Sequence, residues 1–197
     1  IFNGKALARN RSELTRLLRD VYTSARFDEK ERIREIIAQI RARREQAVTG
    51  SGHALAMGAA SQGMSPGAWL SFRLGGLAGI RGTKQLDQAL KDPEELTALC
   101  DKLSALHEKI GKQGREFLVI GEEDQLPAMV DDLKSCWRDA SGAGIAGWKM
   151  EPVNYTTREA WLTSTQVNFC SKAYSTVAVD HPDAAALTVL GGFLRNG

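Results

Sequence analysis

The chain has 197 residues, 43% hydrophobic and 25% charged, ordinary proportions for a globular polypeptide of one domain or one and a half. Its 26 Lys and Arg against 24 Asp and Glu leave a net charge of +2, too small for bulk capture of nucleic acid or a membrane surface. Cys100, Cys136 and Cys170 are widely spaced and form no C-x-x-C, which speaks for reduced thiols in a reducing compartment, and no apolar run reaches the roughly 20 residues of a membrane span.

In chain order the periodicity is mostly helical. Leu14, Leu17, Leu18 and Val21 recur at helical spacing within 10–25, with Ser12 as a plausible cap. A second helix starts at Asp28, whose carboxylate can cap while Glu31 reaches back as in a capping box. Ile33, Ile36, Ile37 and Ile40 form its inner face, and Arg32, Arg34, Arg41, Arg43 and Arg44 lie mostly outside. Gly50-Ser51-Gly52 interrupts it before helix resumes over 53–60. Ser65-Pro66 is a cap followed by proline at the first helical position, and Gly75-Gly76 ends that short helix.

Residues 83–90 read as another short helix. Asp92-Pro93 repeats the cap-plus-proline signal and opens a long one with Leu96, Leu99, Cys100, Leu103, Leu106 and Ile110 inward, stopped by Gly111 and Gly114. Phe117 to Ile120 reads as a short apolar strand, and Leu126, Met129, Val130, Leu133 and Trp137 mark a helix over 125–139. Periodicity then lapses over 141–158, a linker with Gly142, Gly144, Gly147 and Pro152. Strand character returns over 160–179, where Val167 and Phe169 alternate with Gln166 and Asn168. Asp180-His181-Pro182-Asp183 is a turn and helix start, and 184–194 is apolar enough for a core helix.

The fold class expected is therefore α+β, predominantly helical, with short β-strands belonging to incomplete sheets. A strand rich in Val, Phe and Tyr carries donors and acceptors on both edges and needs neighbours. Few residues here could supply them. We therefore expect a piece of a longer polypeptide whose chemistry lies elsewhere.

Local motifs carry little chemistry. Gly142-Ala143-Gly144-Ile145-Ala146-Gly147 matches G-x-G-x-x-G by letter, but a dinucleotide site needs a strand before and a helix after. A helical pattern precedes it and Pro152 follows, so it reads as linker. Ser61 sits in Ala59-Ala60-Ser61-Gln62-Gly63, which lacks the first glycine of a nucleophile elbow and reads as a helix end. His53, His107 and His181 show none of the spacings of a zinc helix, such as H-x-x-E-H. Glu29, Glu31, Glu35 and Glu45 are interspersed among the arginines of the second helix, as on a solvated face. No catalytic or metal-binding residue is assigned.

A resemblance adds what spacing does not. Gln166-Val167-Asn168-Phe169, the 180–183 turn, Ala186 to Leu190 and Leu194 to Gly197 resemble the second half of pitrilysin/insulinase-type zinc metalloproteases, presequence-protease branch. Arg26-Phe27, Glu31-Arg32-Ile33, Ser51-Gly52-His53, Leu74 to Leu77 and Val119 to Gly121 follow in the same order, so the resemblance covers nearly the whole chain.

It implies a clamshell of two homologous halves around a peptide chamber, with zinc and its H-x-x-E-H helix in the first half. An Arg and a Tyr near the end of the second half would contact substrate, and neither these nor the zinc ligands have counterparts here. On this basis 1–140 is the helical back portion of the third protease domain, ending in strand 117–120 and helix 125–139. Residues 141–158 are a linker and 159–197 begin the fourth domain, strand then helix. The resemblance implies a non-catalytic segment of a zinc-dependent oligopeptidase degrading unfolded peptides. Zinc would belong to the parent enzyme and none to this segment. The expected partners are the remainder of the polypeptide and a peptide substrate, with no nucleic acid or membrane. By position Gln166, Asn168 and Phe169 face substrate. Bacterial cytoplasm and organelle matrix both suit the unpaired cysteines. A structural or interaction module of the same fold, without peptidase activity, is the alternative.

Overall fold

The computed structural model describes residues 2–138, 150–163 and 166–196. A 3-10 turn at Ala8–Asn10 leads into α1 (Arg11–Thr23), followed by α2 (Lys30–Gly50), α3 (Gly52–Ser61), α4 (Pro66–Leu74), α5 (Leu77–Ala89), α6 (Pro93–Gly111), α7 (Leu126–Cys136) and α8 (Ala184–Asn196). By compactness the chain falls into two units, Ile1–Ala38 with Leu86–Lys149, and Gln39–Gln85 with Met150–Gly197.

The helix starts obey their caps. Ser65 Oγ accepts from the Ala68 amide at 3.1 Å ahead of Pro66, and the Asp92 carboxylate accepts from the Glu94 amide at 2.9 Å ahead of Pro93. Each side chain satisfies an amide that the first helical turn leaves without a partner. Asp28 differs from expectation. Its carboxylate accepts from Arg26 Nε at 3.1 Å and from a second Arg26 nitrogen at 2.8 Å, while Glu31 pairs with Arg34. Both members of the capping box are thus engaged by arginines, and α2 begins at Lys30.

The core of the first unit is Leu90, Leu96 and Cys100, with Ile33 and Ile37 of α2 and Leu86 and Leu99 packed against it. Leu90 is 1% exposed. Burying each such aliphatic side chain is worth about 1.5–3 kcal/mol. The inward stripe of α6 runs through Leu96, Cys100, Leu103 and His107. Leu106 and Ile110, expected on it, are exposed because they lie to one side of that stripe. His107 takes the inward place, and its ring lies 5.7 Å from that of Tyr22 and 5.4 Å from that of Phe27. Tyr22 in turn packs on Trp137, and Trp137 on Phe117. Leu14 and Leu18 of α1 are half-buried, with Gly4 pressed so close that a Cβ there would meet Leu14 Cδ1 at 2.7 Å. Leu17 and Val21 are exposed, a narrower buried stripe than the sequence pattern implied.

In the second unit α3 packs on α4. The later part of α2 corrects the expected outer arginine face, because Arg44 turns inward and donates to Thr83 Oγ1 at 2.7 Å and to the Gly79 carbonyl at 3.1 Å. Helix α5 starts at Leu77, six residues before the expected 83. Gly79, which reads as a helix weakener, is needed there, since a Cβ would meet the Leu74 carbonyl oxygen at 2.4 Å.

The β expectations are not met among the described residues. Residues 117–120 and the described part of 160–179 are irregular, without a β-ladder. Leu118 and Ile120 are 86% and 84% exposed, and Val179 95%. The reason is pairing: strand propensity becomes a strand only when a second backbone lies alongside. Helix α8 forms after the expected turn, where the Asp183 amide meets His181 Nδ1 at 3.1 Å. It is not a core helix, because Val189, Phe193 and Leu194 are exposed. The glycine motif at 142–147 lies outside the described residues.

Candidate functional site

The expected substrate-facing residues Gln166, Asn168 and Phe169 all lie in the irregular segment before α8 and are exposed. Phe169 is partly committed elsewhere. At 38% exposure it lays its ring over Gly52 so closely that a Cβ at Gly52 would meet Phe169 Cε2 at 2.2 Å. Helix α3 therefore begins with a buried glycine because an aromatic face sits there. Gln166 and Asn168 remain the surface groups of the run.

The densest polar geometry in the same unit lies between the end of α3 and residues 150–163, and sequence reasoning missed it. Gln62, just past α3, is only 5% exposed. Its Nε2 donates to the Ala59 carbonyl at 3.0 Å and to Glu159 Oε1 at 3.2 Å, while its Oε1 accepts from Tyr155 Oη at 3.2 Å. Glu159 also accepts from Thr157 Oγ1 at 3.0 Å and from Trp161 Nε1 at 2.8 Å. The Tyr155 amide donates to the Gly63 carbonyl at 2.9 Å. Gly63 permits this approach, since a Cβ there would come within 2.0 Å of the Tyr155 carbonyl oxygen. Trp161 stands edge-on to Phe72 at 6.2 Å, and the Arg81 guanidinium lies 3.9 Å from the Trp161 ring centroid. The result is a clasp that fixes an irregular segment onto helices. In the sequence its trace is no more than the Gln62-Gly63 pair at a helix end.

Zinc, implied for the wider family, asks for three protein ligands at a catalytic centre. His53 is exposed at the start of α3. His107 Nε2 is 2.7 Å from the Tyr22 carbonyl oxygen, a contact that assigns its proton to Nε2. His181 is engaged by its own turn, with Nδ1 3.7 Å from the Asp183 carboxylate. Among the described residues no three His, Cys, Asp or Glu side chains gather as a metal cluster. The donor set does not fit a zinc centre. No described helix is long and apolar enough to cross a membrane.

Residues 1–86 match the family described as peptidase M-16C associated. The chain is similar to presequence protease 1, chloroplastic/mitochondrial, of Arabidopsis thaliana, 26% identical over 186 residues that make up 89% of this chain and 17% of that protein. It is 21% identical to the mitochondrial presequence protease of Danio rerio over 213 residues, 97% of this chain and 21% of the relative. The Aspergillus fumigatus mitochondrial presequence protease is 33% identical over 106 residues, 52% of this chain and 10% of its own length. The chain thus spans about a fifth or less of these relatives.

Proposed function

We propose, for a chain related along most of its length to presequence proteases of the pitrilysin type, the role of a non-catalytic segment in the C-terminal half of a zinc-dependent oligopeptidase. The single observation that supports it is similarity over 89–97% of the chain to proteins named as presequence proteases. The segment contributes chamber wall to an enzyme that degrades unfolded peptides. Zinc and the general base belong to the remainder of the polypeptide, which is also the principal partner. Residues 1–140 act as the helical back of one domain, 141–158 as connector and 159–197 as the start of the next. The exposed apolar runs at 117–120 and 167–179 then add to sheets whose other strands that remainder supplies. Gln166 and Asn168 face the peptide, with Phe169 anchoring the run on Gly52. The relatives named as chloroplastic or mitochondrial favour an organelle matrix, with bacterial cytoplasm the other setting.

The test pairs the isolated chain with the full polypeptide that contains it. Purified alone, the chain is expected to leave an unfolded peptide intact and to carry far less than one zinc per molecule. Chelator-sensitive cleavage by the chain alone would overturn the reading. In the full polypeptide, Gln166→Ala with Asn168→Ala is expected to raise KM and leave kcat unchanged, the signature of lost uniform binding. A full polypeptide that cleaves no peptide would return the chain to the scaffold class.

A further inference from the structure

Both ends of α3 are fitted to the same later stretch of chain. At its start the Phe169 ring covers Gly52, where a Cβ would run into three ring carbons, Cε2, Cδ2 and Cζ. Just past its end the Tyr155 amide donates to the Gly63 carbonyl, and a Cβ at Gly63 would run into the Tyr155 carbonyl oxygen. Gln62 beside it holds Tyr155 and Glu159. Between the two ends Gly58 is open, with nothing within 4 Å of a Cβ there. No described glycine has a positive φ, so glycine at 52 and 63 answers to space and not to backbone conformation.

The two attachments are not redundant. Helix α3 is ten residues long and holds its ends about 15 Å apart. Phe169 follows Glu159 by ten positions, a tether that reaches to about 35 Å when extended. The clasp at Gln62 alone therefore leaves Phe169 a wide volume, and the seat on Gly52 selects one place in it. The clasp in turn shortens the tether, and the effective concentration of a tethered group falls roughly as the −3/2 power of tether length. The seat is thus filled more of the time when the clasp is made.

We propose that α3 positions the run at 166–169, with Gly52 and Gln62 as positioning residues for Gln166 and Asn168. Gly52 acts through Phe169, whose neighbour in the chain is Asn168. Gln62 acts through the clasp, from more than a hundred positions away. Neither residue touches peptide. The inference rests on the reading of that run as peptide-facing, and adds to it the element that sets where the two side chains stand. A glycine and a buried amide at the two ends of one helix thereby become determinants of peptide affinity.

The test has one readout for position and one for peptide. For position, the purified chain carries glycine label for NMR. The Phe169 ring is expected to hold the Gly52 α-protons upfield of their place in Phe169→Ala, with Gln62→Ala moving them part of the way and Gly58→Ala not at all. For peptide, the full polypeptide that contains the chain cleaves an unfolded peptide. Gly52→Ala and Phe169→Ala are each expected to raise KM about two- to tenfold, the worth of one net hydrogen bond, with kcat unchanged. Gln62→Ala is expected to raise it less. Alanine favours helix over glycine, so a weakened α3 does not account for a rise in Gly52→Ala. Gly52→Ala combined with Phe169→Ala should be no worse than Phe169→Ala, since both remove the same contact. Gly58→Ala should leave KM as it was. A Gly52 signal unmoved in Phe169→Ala overturns the seat, and one unmoved in Gln62→Ala removes Gln62 from the proposal. A fall of kcat in step with every rise of KM marks general misfolding and overturns it too. If the signal moves and KM does not, Gln166→Ala with Asn168→Ala decides which step failed. A raised KM in that pair overturns positioning alone, and an unchanged KM overturns the peptide-facing reading and positioning with it.

Discussion

Two regions of this molecule hold the chain by opposite means. Around Leu90, Leu96 and Cys100 the first unit relies on apolar area, with two isoleucines of α2 laid against the start of α6. Around Gln62 the second unit relies on hydrogen bonds, with one buried amide and one carboxylate fixing a segment that has no regular structure. The first arrangement is non-directional and tolerates exchange among aliphatic side chains of similar volume. The second depends on each atom finding its partner, since buried polar groups left unpaired cost more than the bonds return. Helices can be held by either means. An irregular segment, whose amides and carbonyls are not used internally, is better served by the second.

The largest effect is expected in the apolar region. Leu90→Ala removes a side chain that is 1% exposed and should cost about 2–5 kcal/mol, read as a lower denaturation midpoint. Leu90→Met, which nearly conserves volume, should cost under about 1.5 kcal/mol. If both variants lost the same amount, packing area would not be what holds this core, and the contrast between the regions would fail.

That contrast also explains what could be read in advance. The start of α6 at Asp92-Pro93, the start of α4 at Ser65-Pro66 and the break at Gly50 to Gly52 are local chemistry, and the structure shows all three. Of the four isoleucines that period alone places inward, Ile33 and Ile37 pack against the core, whereas Ile36 is exposed. Non-local partners left no such trace. Arg44 looks like a solvated residue until Gly79 and Thr83 appear beside it, thirty-five and thirty-nine positions away. Gln62 meets Tyr155 and Glu159 more than ninety positions later. The runs at 117–120 and 160–179 misled for the same reason, because β-propensity reports a side chain's fit to a sheet and cannot supply the neighbouring strand. For the candidate site, Gln166 and Asn168 were placed by resemblance, and the contact of Phe169 with Gly52 was invisible to it.

A middle-sized effect is expected in the clasp. Gln62→Ala removes the amide that bonds Tyr155, Glu159 and the Ala59 carbonyl, and should cost about 1–3 kcal/mol. The more telling readout is local. Limited proteolysis should speed up within 150–163 well before the global midpoint moves, because the segment loses its anchor while the helices keep theirs. Equal loss of protection across all helices would show that the clasp is part of a general core and not a separate device.

The smallest effect sharpens the comparison by repeating the chemistry of the clasp in water. Arg26 and Asp28 form two hydrogen bonds, at 3.1 and 2.8 Å, yet both side chains are well exposed. The bond from Arg26, then a backbone hydrogen bond, hold the Asp28 carboxyl below its ordinary value, and Asp28 in turn raises the Arg26 guanidinium. A depressed folded value means that any stability the pair adds is present above the ordinary aspartate range and is lost as pH falls through the folded value. Stability should therefore be flat for this pair from neutral pH down to that range, with any decline confined to stronger acid. The Asp28 carboxyl carbon should titrate below the ordinary aspartate range in an NMR series, and Arg26→Gln should return it there. Because solvent screens an exposed pair, Asp28→Asn should leave the melting midpoint at neutral pH within error. A clear loss would mean that hydrogen bonds on this chain count equally in and out of water, and that the burial of Gln62 is incidental to its hold on the segment.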